Sequence, residues 1–527
     1  MNKKGFTLAE LIGVVIILGL IVLLVVTPIL SQIRNQSSKI DNLTKGLLFS
    51  TAENYIEQNP TKYIYDANKT YFLTLELLIE KGILEENILN KYNEDTLNKN
   101  SIIKVTNNEN TFNYELLNPS TYDNIGNVAE GLKVSTFSFM NGTYYKDNPA
   151  NSYVLFNNIL HKILGINADG SIRLMAVENV TKMIPGTTSQ SYSNSYVRNW
   201  LNDYYYSNLL DNDYITKQEW CIDNQATAAA SSTCSTKIKD YVGLITTMEL
   251  MNHNSLAGNY YNYTYLTMTQ SNVGSFYNVD TTATSTSAQN SFNTRPVINV
   301  LSSSVILSGT GSIDNPYVLL NDPNTTYTNV KLRNIYHTIG QYITYNGHTY
   351  RIMETGAGYV KLVMVPTATD ITTSVFSNSS TRFNLSNGIG YLLNTTLRSY
   401  FVPTNESLNL TLDTKVYLGE YASLGSNFKT EYLLKTNQLS GVIAAAPKLG
   451  EILGATPMKC YTGGSCPTYW LMTDSDANNA FSISMTALVP QSKSETYSVI
   501  PTIYISNEGI ILSGSGTQSS PFVLGGV

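Results

Sequence analysis

The sequence predicts an α+β fold: a long N-terminal transmembrane helix carrying a small antiparallel sheet, followed by two homologous, β-rich α+β domains outside the membrane. Three observations carry this reading. Residues Leu11–Ile33 hold no charge, and a run of about twenty apolar residues is long enough to span a bilayer. SIIKVTNNENTFNYELL, from Ser101, alternates apolar and polar residues about a polar turn, as a β-hairpin does. Beyond residue 120 the chain repeats itself with a period of about 190–200 residues.

The first helix should continue past the membrane. Ile33, Ile40, Leu43, Leu47 and Leu48 form a helical apolar stripe, and Asn59-Pro60 stops it. From Phe6 to Gln58 this is roughly 80 Å of helix at 1.5 Å per residue. FLTLELLIEKGIL, from Phe72, reads as a short second helix ended by Gly82. Helix and hairpin together make a compact module, residues 6–119, whose core is expected to close near Pro119.

The repeat supplies the remaining architecture. Tyr153–Ala176 lines up with Tyr342–Met364, VRNWLNDYY with IGYLLNTTLRSYF, GLITTMELM with GVIAAAPKLGEIL, and YLTMT with YWLMT. The closing segments match best: RPVINVLSSSVILSGTGSIDNPYVL against IPTIYISNEGIILSGSGTQSSPFVL. Two units follow, residues 120–322 and 327–527, joined by a linker around Pro323. An immunoglobulin-like sandwich is the rival fold, and the helix-like segments VRNWLNDYYYSNLL and NGIGYLLNTTLRSYF argue against it.

The opening, MNKKGFTLAELIGVVIILGLIVLLVVTP, is the most informative segment for function. A secretory signal has an apolar core of about 7–15 residues followed by a small-residue cleavage site. Here the run is longer and the glycine precedes it. Lys3 and Lys4 keep the short N-terminal end in the cytoplasm, so the chain beyond Pro28 faces outward. KKG, then F-T-L-x-E, then an unbroken apolar stretch resembles the class III signal of type IV prepilins and pseudopilins. The resemblance covers the first quarter of the chain. It implies a leader of residues 1–5, cleavage between Gly5 and Phe6 by the prepilin peptidase, N-methylation of Phe6, and a transmembrane helix over 8–30. By the same resemblance, Glu10 pairs with the terminal amine of a neighbouring subunit, a role that offsets the 2.5–3.5 kcal/mol or so a carboxylate costs at a membrane helix centre. Gly19 and Pro28 are either points of local helix melting during assembly or ordinary residues of a membrane helix.

The implied partners are other pilins in a filament, the peptidase, the cytoplasmic membrane before assembly, and a surface receptor or glycan. The implied function is a large minor subunit, placed at the tip or sparsely, that displays two domains for adhesion at the cell surface. The alternatives are a pseudopilin of a secretion or DNA-uptake machine and a membrane-anchored surface-binding protein that does not polymerise. In their order of segments the two units resemble surface modules related to C-type-lectin-like and sulfatase-modifying-factor folds, without the EPN or QPD sugar-and-calcium motif.

Composition excludes other classes. Charged residues are 14% of the chain, against about 25% in ordinary soluble domains. Net charge is −6 with no basic patch, which gives no footprint for nucleic acid. His161, His253, His337 and His348 are scattered without metal-ligand spacing, and no cofactor is expected. Cysteines fall in two local pairs, Cys221 with Cys234 and Cys460 with Cys466. Two disulfides are expected outside the membrane; unpaired thiols are the other reading. DSDANN places Asp474, Asp476 and Asn478 like half of a calcium loop, but it lacks the glycine and the distal glutamate, and a solvated turn is the plainer account. GTGSIDNP and GSGTQSSP lack a phosphate loop's Lys-Ser/Thr ending and read as tight turns. Tyrosines in NYYNYTYLTMT and NDYYYSNLL suit either strand packing or glycan stacking. No catalytic constellation is present, and the chain is not expected to be an enzyme.

Overall fold

A computed structural model describes residues 42–527 apart from 60–62, 64–69, 92–96, 228–232, 253–264, 280–282, 288–291, 321–326, 336–339, 366–371, 422–435, 449–467, 484–487 and isolated gaps of one or two residues. The expected fold class is corrected. The described residues are β-rich, 42% strand against 21% helix, and no helix among them is long and apolar enough to cross a membrane. The reason lies in the sequence: among the described residues, strands of two to nine residues rich in β-branched and aromatic side chains end repeatedly at Gly, Asn and Ser turns, so strand outweighs helix. The expected membrane span, 8–30, lies outside the described residues.

The first described element is a helix over residues 42–58. Its buried face is Leu48, Ala52, Tyr55 and Ile56, spaced four, three and one apart as one side of a helix requires. The expected stripe was offset: Leu43 and Leu47 are 75% and 53% exposed. Asn59 ends the helix, its side chain donating to Tyr55 O at 2.8 Å. Three antiparallel strands follow, β1 (Thr70–Thr74), β2 (Ile102–Asn108) and β3 (Thr111–Leu117), in that order across the sheet. β2 and β3 are the hairpin read from the alternation. FLTLELL, expected to be all helix, divides at Thr74. TYFLT pairs with β2, and Thr74 then caps the helix Leu75–Glu80, its Oγ1 accepting from Leu77 N at 3.3 Å.

The two repeats share a run of seven main-sheet strands in the same order, to which the first unit adds Thr136–Phe139 and Gly142–Tyr145 and the second adds Val330–Lys331. In the first unit the main sheet runs Val242–Gly243, Val297–Val300, Ile172–Ala176, Ile159–Ile166, Tyr153–Phe156, Tyr317–Leu319, Ile306–Ser308. In the second it runs Ala444–Ala445, Thr502–Ser506, Tyr359–Met364, His348–Gly356, Tyr342–Tyr345, Phe522–Leu524, Ile510–Ser513. In each, the final strand returns to lie parallel to the strand that opens the repeated segment, Tyr317 beside Val154 and Phe522 beside Ile343. That return is why the closing segments match so well: each must fit against the strand that opens its own repeated segment. A five-stranded second sheet and a two-stranded hairpin also recur in both. The segment carrying the L-N pair becomes α-helix passing into a π-helical turn in both units, Trp200–Tyr205 and Leu392–Thr396. Asn202 accepts from Val242 N at 3.1 Å and donates to Val242 O at 2.9 Å; Asn394 does the same for Ala444 at 3.1 and 2.8 Å. One amide thus satisfies both backbone groups of a strand end.

Helix, small sheet and first unit share one core. Leu48, Tyr55, Leu75, Leu78 and Ile103 are continuous with Ile125, Leu174 and Val300. Met353, Val363, Leu471 and Ile500 of the second unit join the same cluster. A second cluster, with Ile352, Trp470 and Ile503, fills the second unit. The core therefore does not close at Pro119.

Candidate functional site

All the residues singled out for processing and assembly lie outside the described residues: Gly5, Phe6, Glu10, Gly19 and Pro28, and with them Cys460 and Cys466. What is described is how the helix is fixed to the units it would carry. Tyr55 OH donates to Asp213 Oδ2 at 2.6 Å, and Lys81 stands 3.5 Å from the same carboxylate. Tyr214 OH donates to Phe72 O and lies 3.4 Å from Thr74 N, covering the outer edge of β1. Ser303 N donates to Glu76 Oε2 at 2.9 Å, and Ser303 Oγ to Thr74 Oγ1 at 2.9 Å. Burial, then the nearby Asp213 charge, pushes the Tyr55 phenol well above its ordinary value, so it stays a donor at any physiological pH. These bonds join residues more than a hundred positions apart and tie the helix rigidly to the first unit.

The Cys221–Cys234 disulfide is formed, with Cα atoms 5.8 Å apart. It closes the loop after the strand Gln218–Cys221, whose Trp220 lies over a buried ion pair. Arg173 Nε is 2.7 Å from Glu249 Oε1, and both side chains are almost wholly buried. The guanidinium lies 4.2 Å from the Trp220 ring centroid, and Glu249 Oε2 accepts from Thr246 N at 3.0 Å and Thr246 Oγ1 at 2.8 Å. Gly243 must be small here, since a Cβ would sit 2.4 Å from the Trp220 ring. Nothing in the local sequence marks this pair, because one member comes from a strand and the other from a helix far along the chain.

The calcium reading of DSDANN fails on geometry. Asp474 is buried between Arg382 Nε at 2.7 Å and Lys493 Nζ at 3.0 Å. Asp476 accepts from Asn478 N at 2.8 Å and Asn479 N at 2.9 Å, which makes a turn of the segment. Asn478 contributes through its backbone, its O accepting from Lys493 N at 3.0 Å. Each carboxylate is thus committed to protein partners. Tyrosines of the named stretches that are described go inward: Tyr205 and Tyr265 are buried, and Tyr206 stacks on Tyr241 at 4.1 Å. An aromatic pair does reach the surface of the second unit, where His348 stacks on Tyr400 at 4.9 Å and Tyr400 is 38% exposed.

His161, read from sequence as one of four scattered histidines, is fully enclosed. Its Nδ1 donates to Ile159 O at 2.8 Å, and Nε2 has no hydrogen-bond partner among the described residues. Burial lowers its pKa to about 4, because protonation would leave an N–H without an acceptor. The folded value lies below the unfolded 6.5, so this contribution is complete above pH 6.5 and is lost as pH falls from 6.5 toward 4. The full effect is about 3 kcal/mol. Denaturant midpoints measured across that window should fall less steeply in His161→Gln, by about one proton in slope; parallel curves would show that His161 is not neutral in the fold.

No family model, no curated protein and no solved structure matches the chain.

Proposed function

We propose that this chain is a large subunit of a type IV pilus or related filament, sparse along it or at its tip, with the two repeats displayed for adhesion. The observation that carries the reading is the order Lys3-Lys4-Gly5, Phe6, Glu10 and the uncharged run Leu11–Ile33. An acid at the fifth position of the cut chain and a cuttable glycine before an apolar run are what a processed, polymerising subunit needs. The fixed junction around Asp213, Glu76 and Tyr214 supports it, since a displayed head must not swing free under load. The His348–Tyr400 pair offers an exposed aromatic face of the kind that stacks on sugar rings. Before assembly the apolar run sits in the cytoplasmic membrane with Met1 inside.

The test is mass spectrometry of the chain recovered from filaments sheared off intact cells. The expected N-terminus is N-methylated Phe6, and replacing Gly5 with a bulky residue should leave the precursor uncut in the membrane. A filament-free chain still beginning at Met1, or one cut beyond Pro28, rejects the proposal.

A further inference from the structure

Three sulfurs meet beneath the loop that the first disulfide closes. Cys221 Sγ lies 3.9 Å from Met248 Sδ, and Cys221, Cys234 and Met248 share a small apolar cluster with Phe139 and Tyr144. Cys221 and Met248 are 2% and 3% exposed, whereas Cys234 is half-buried and opens to solvent. Two sulfurs bound to one ion at about 2.3 Å each stand about 3.8–4.0 Å apart, the separation already present between Cys221 and Met248. The carboxylate of Asp223 is close by, within 4.8 Å of both cysteine sulfurs. Its oxygens are engaged by Ser235 N at 2.8 Å, Ser235 Oγ at 2.9 Å and Thr236 N at 2.6 Å, so it holds the loop in place.

We propose that this disulfide is the oxidised form of a copper site: when reduced, Cys221 and Cys234, with Met248, bind one Cu(I) ion. Two thiolates and a thioether are a soft donor set, and such a set selects Cu(I) over harder divalent ions. The steps balance with an external small thiol as reductant. Two thiol molecules supply two electrons and two protons to the S–S bond and leave as their own disulfide. The two cysteine protons then depart as Cu(I) binds. The sulfurs need to separate only from bonding distance to the spacing of ligands on a shared ion. Phe139 and Tyr144 exclude water from the buried side, which protects Cu(I) from oxidation, and Cys234 gives the route of entry. Met248 is the discriminating residue, since a disulfide needs no thioether beside it.

The experiment uses the full chain carrying Cys460→Ser and Cys466→Ser, so that copper reports on the first pair alone. The protein is reduced with a phosphine, desalted without oxygen, and titrated against the coloured Cu(I)–bicinchoninate complex. One equivalent of Cu(I) should be withdrawn by the reduced chain and none by the oxidised chain. Met248→Leu, which conserves volume, should weaken binding by about 10-fold, and Cys234→Ser by more than about 100-fold. A reduced chain that leaves the complex coloured overturns the proposal, as does undiminished affinity in Met248→Leu. Loss of near-ultraviolet circular dichroism on reduction alone overturns it too, because only the fold gathers the sulfurs. Preference for Zn(II) that depends on Asp223 would reject Cu(I) as the ion.

Discussion

Residues 42–119 separated from the rest of the chain are expected to show no cooperative unfolding transition. A core below about 80 residues seldom supplies more than 3–5 kcal/mol even when complete, and this one is not complete. Leu75, Leu78 and Ile103 pack in the same cluster as Ile125, Leu174 and Val300, which the cut removes. The cut also leaves Glu76 without Ser303, Tyr55 without Asp213, and the edge of β1 without Tyr214. Thermal melting by far-ultraviolet circular dichroism should give a shallow slope for the fragment and a sharp step for the full chain. A sharp, reversible step from the fragment would show that the module closes on itself after all.

That outcome bears on what the sequence could disclose. The duplication was legible because each unit repeats residues that perform one local task. Asn202 and Asn394 each clamp a strand end, and the segments closing at Leu319 and Leu524 each pair with the strand that opens their own repeated segment. The hairpin of β2 and β3 was legible for a like reason: its alternation and its polar turn lie within seventeen consecutive residues. Where an element depends on a distant partner, the pattern misleads. Phe72–Thr74 looks like the start of a helix until β2 is placed beside it. Leu43 and Leu47 look buried, yet it is Leu48, Ala52 and Tyr55 that the shared core takes in.

Sites divide in the same way. The cysteine pair was readable from its short spacing, and the disulfide Cys221–Cys234 is formed. Met248, twenty-seven residues from Cys221, had no mark in the sequence, since a methionine in a helix reads as ordinary core. Arg173 and Glu249 were equally silent. A buried pair is recognisable only when burial is known, and in sequence each is one charged residue among many. Asp474 shows the same limit: alternate oxygens suggested half of a calcium loop or, more plainly, a solvated turn, whereas the carboxylate is buried between Arg382 and Lys493.

Asp474→Ala is expected to destabilise the second unit by about 3–5 kcal/mol, the usual cost of breaking a buried ion pair from one side. The carboxylate sits at the end of the strand Tyr469–Asp474 with 1% exposure, between Arg382 at 22% and Lys493 at 2%. Removing it strands two positive charges. Arg382 keeps carbonyl partners, Leu418 O and Gly419 O, each at 2.8 Å. Among the described residues Lys493 keeps Ala477 O at 3.0 Å and the face of Phe376 at 5.6 Å, poor replacements for an anion in a dry site. Burial raises the Asp474 carboxyl above its ordinary value while Lys493 and then Arg382 draw it back. At the matching place in the first unit Gln270 does the joining with a neutral amide, accepting from Tyr192 N at 2.8 Å and donating to Gln190 O at 3.0 Å. Charge is therefore not required by the fold at this position, and replacing all three residues by apolar ones of similar size should be close to neutral. Denaturant unfolding of Asp474→Ala and of the triple Arg382→Met, Asp474→Leu, Lys493→Met variant checks both halves. A loss below about 1 kcal/mol in the single variant would mean that water reaches Lys493 and that the cluster behaves as a surface pair.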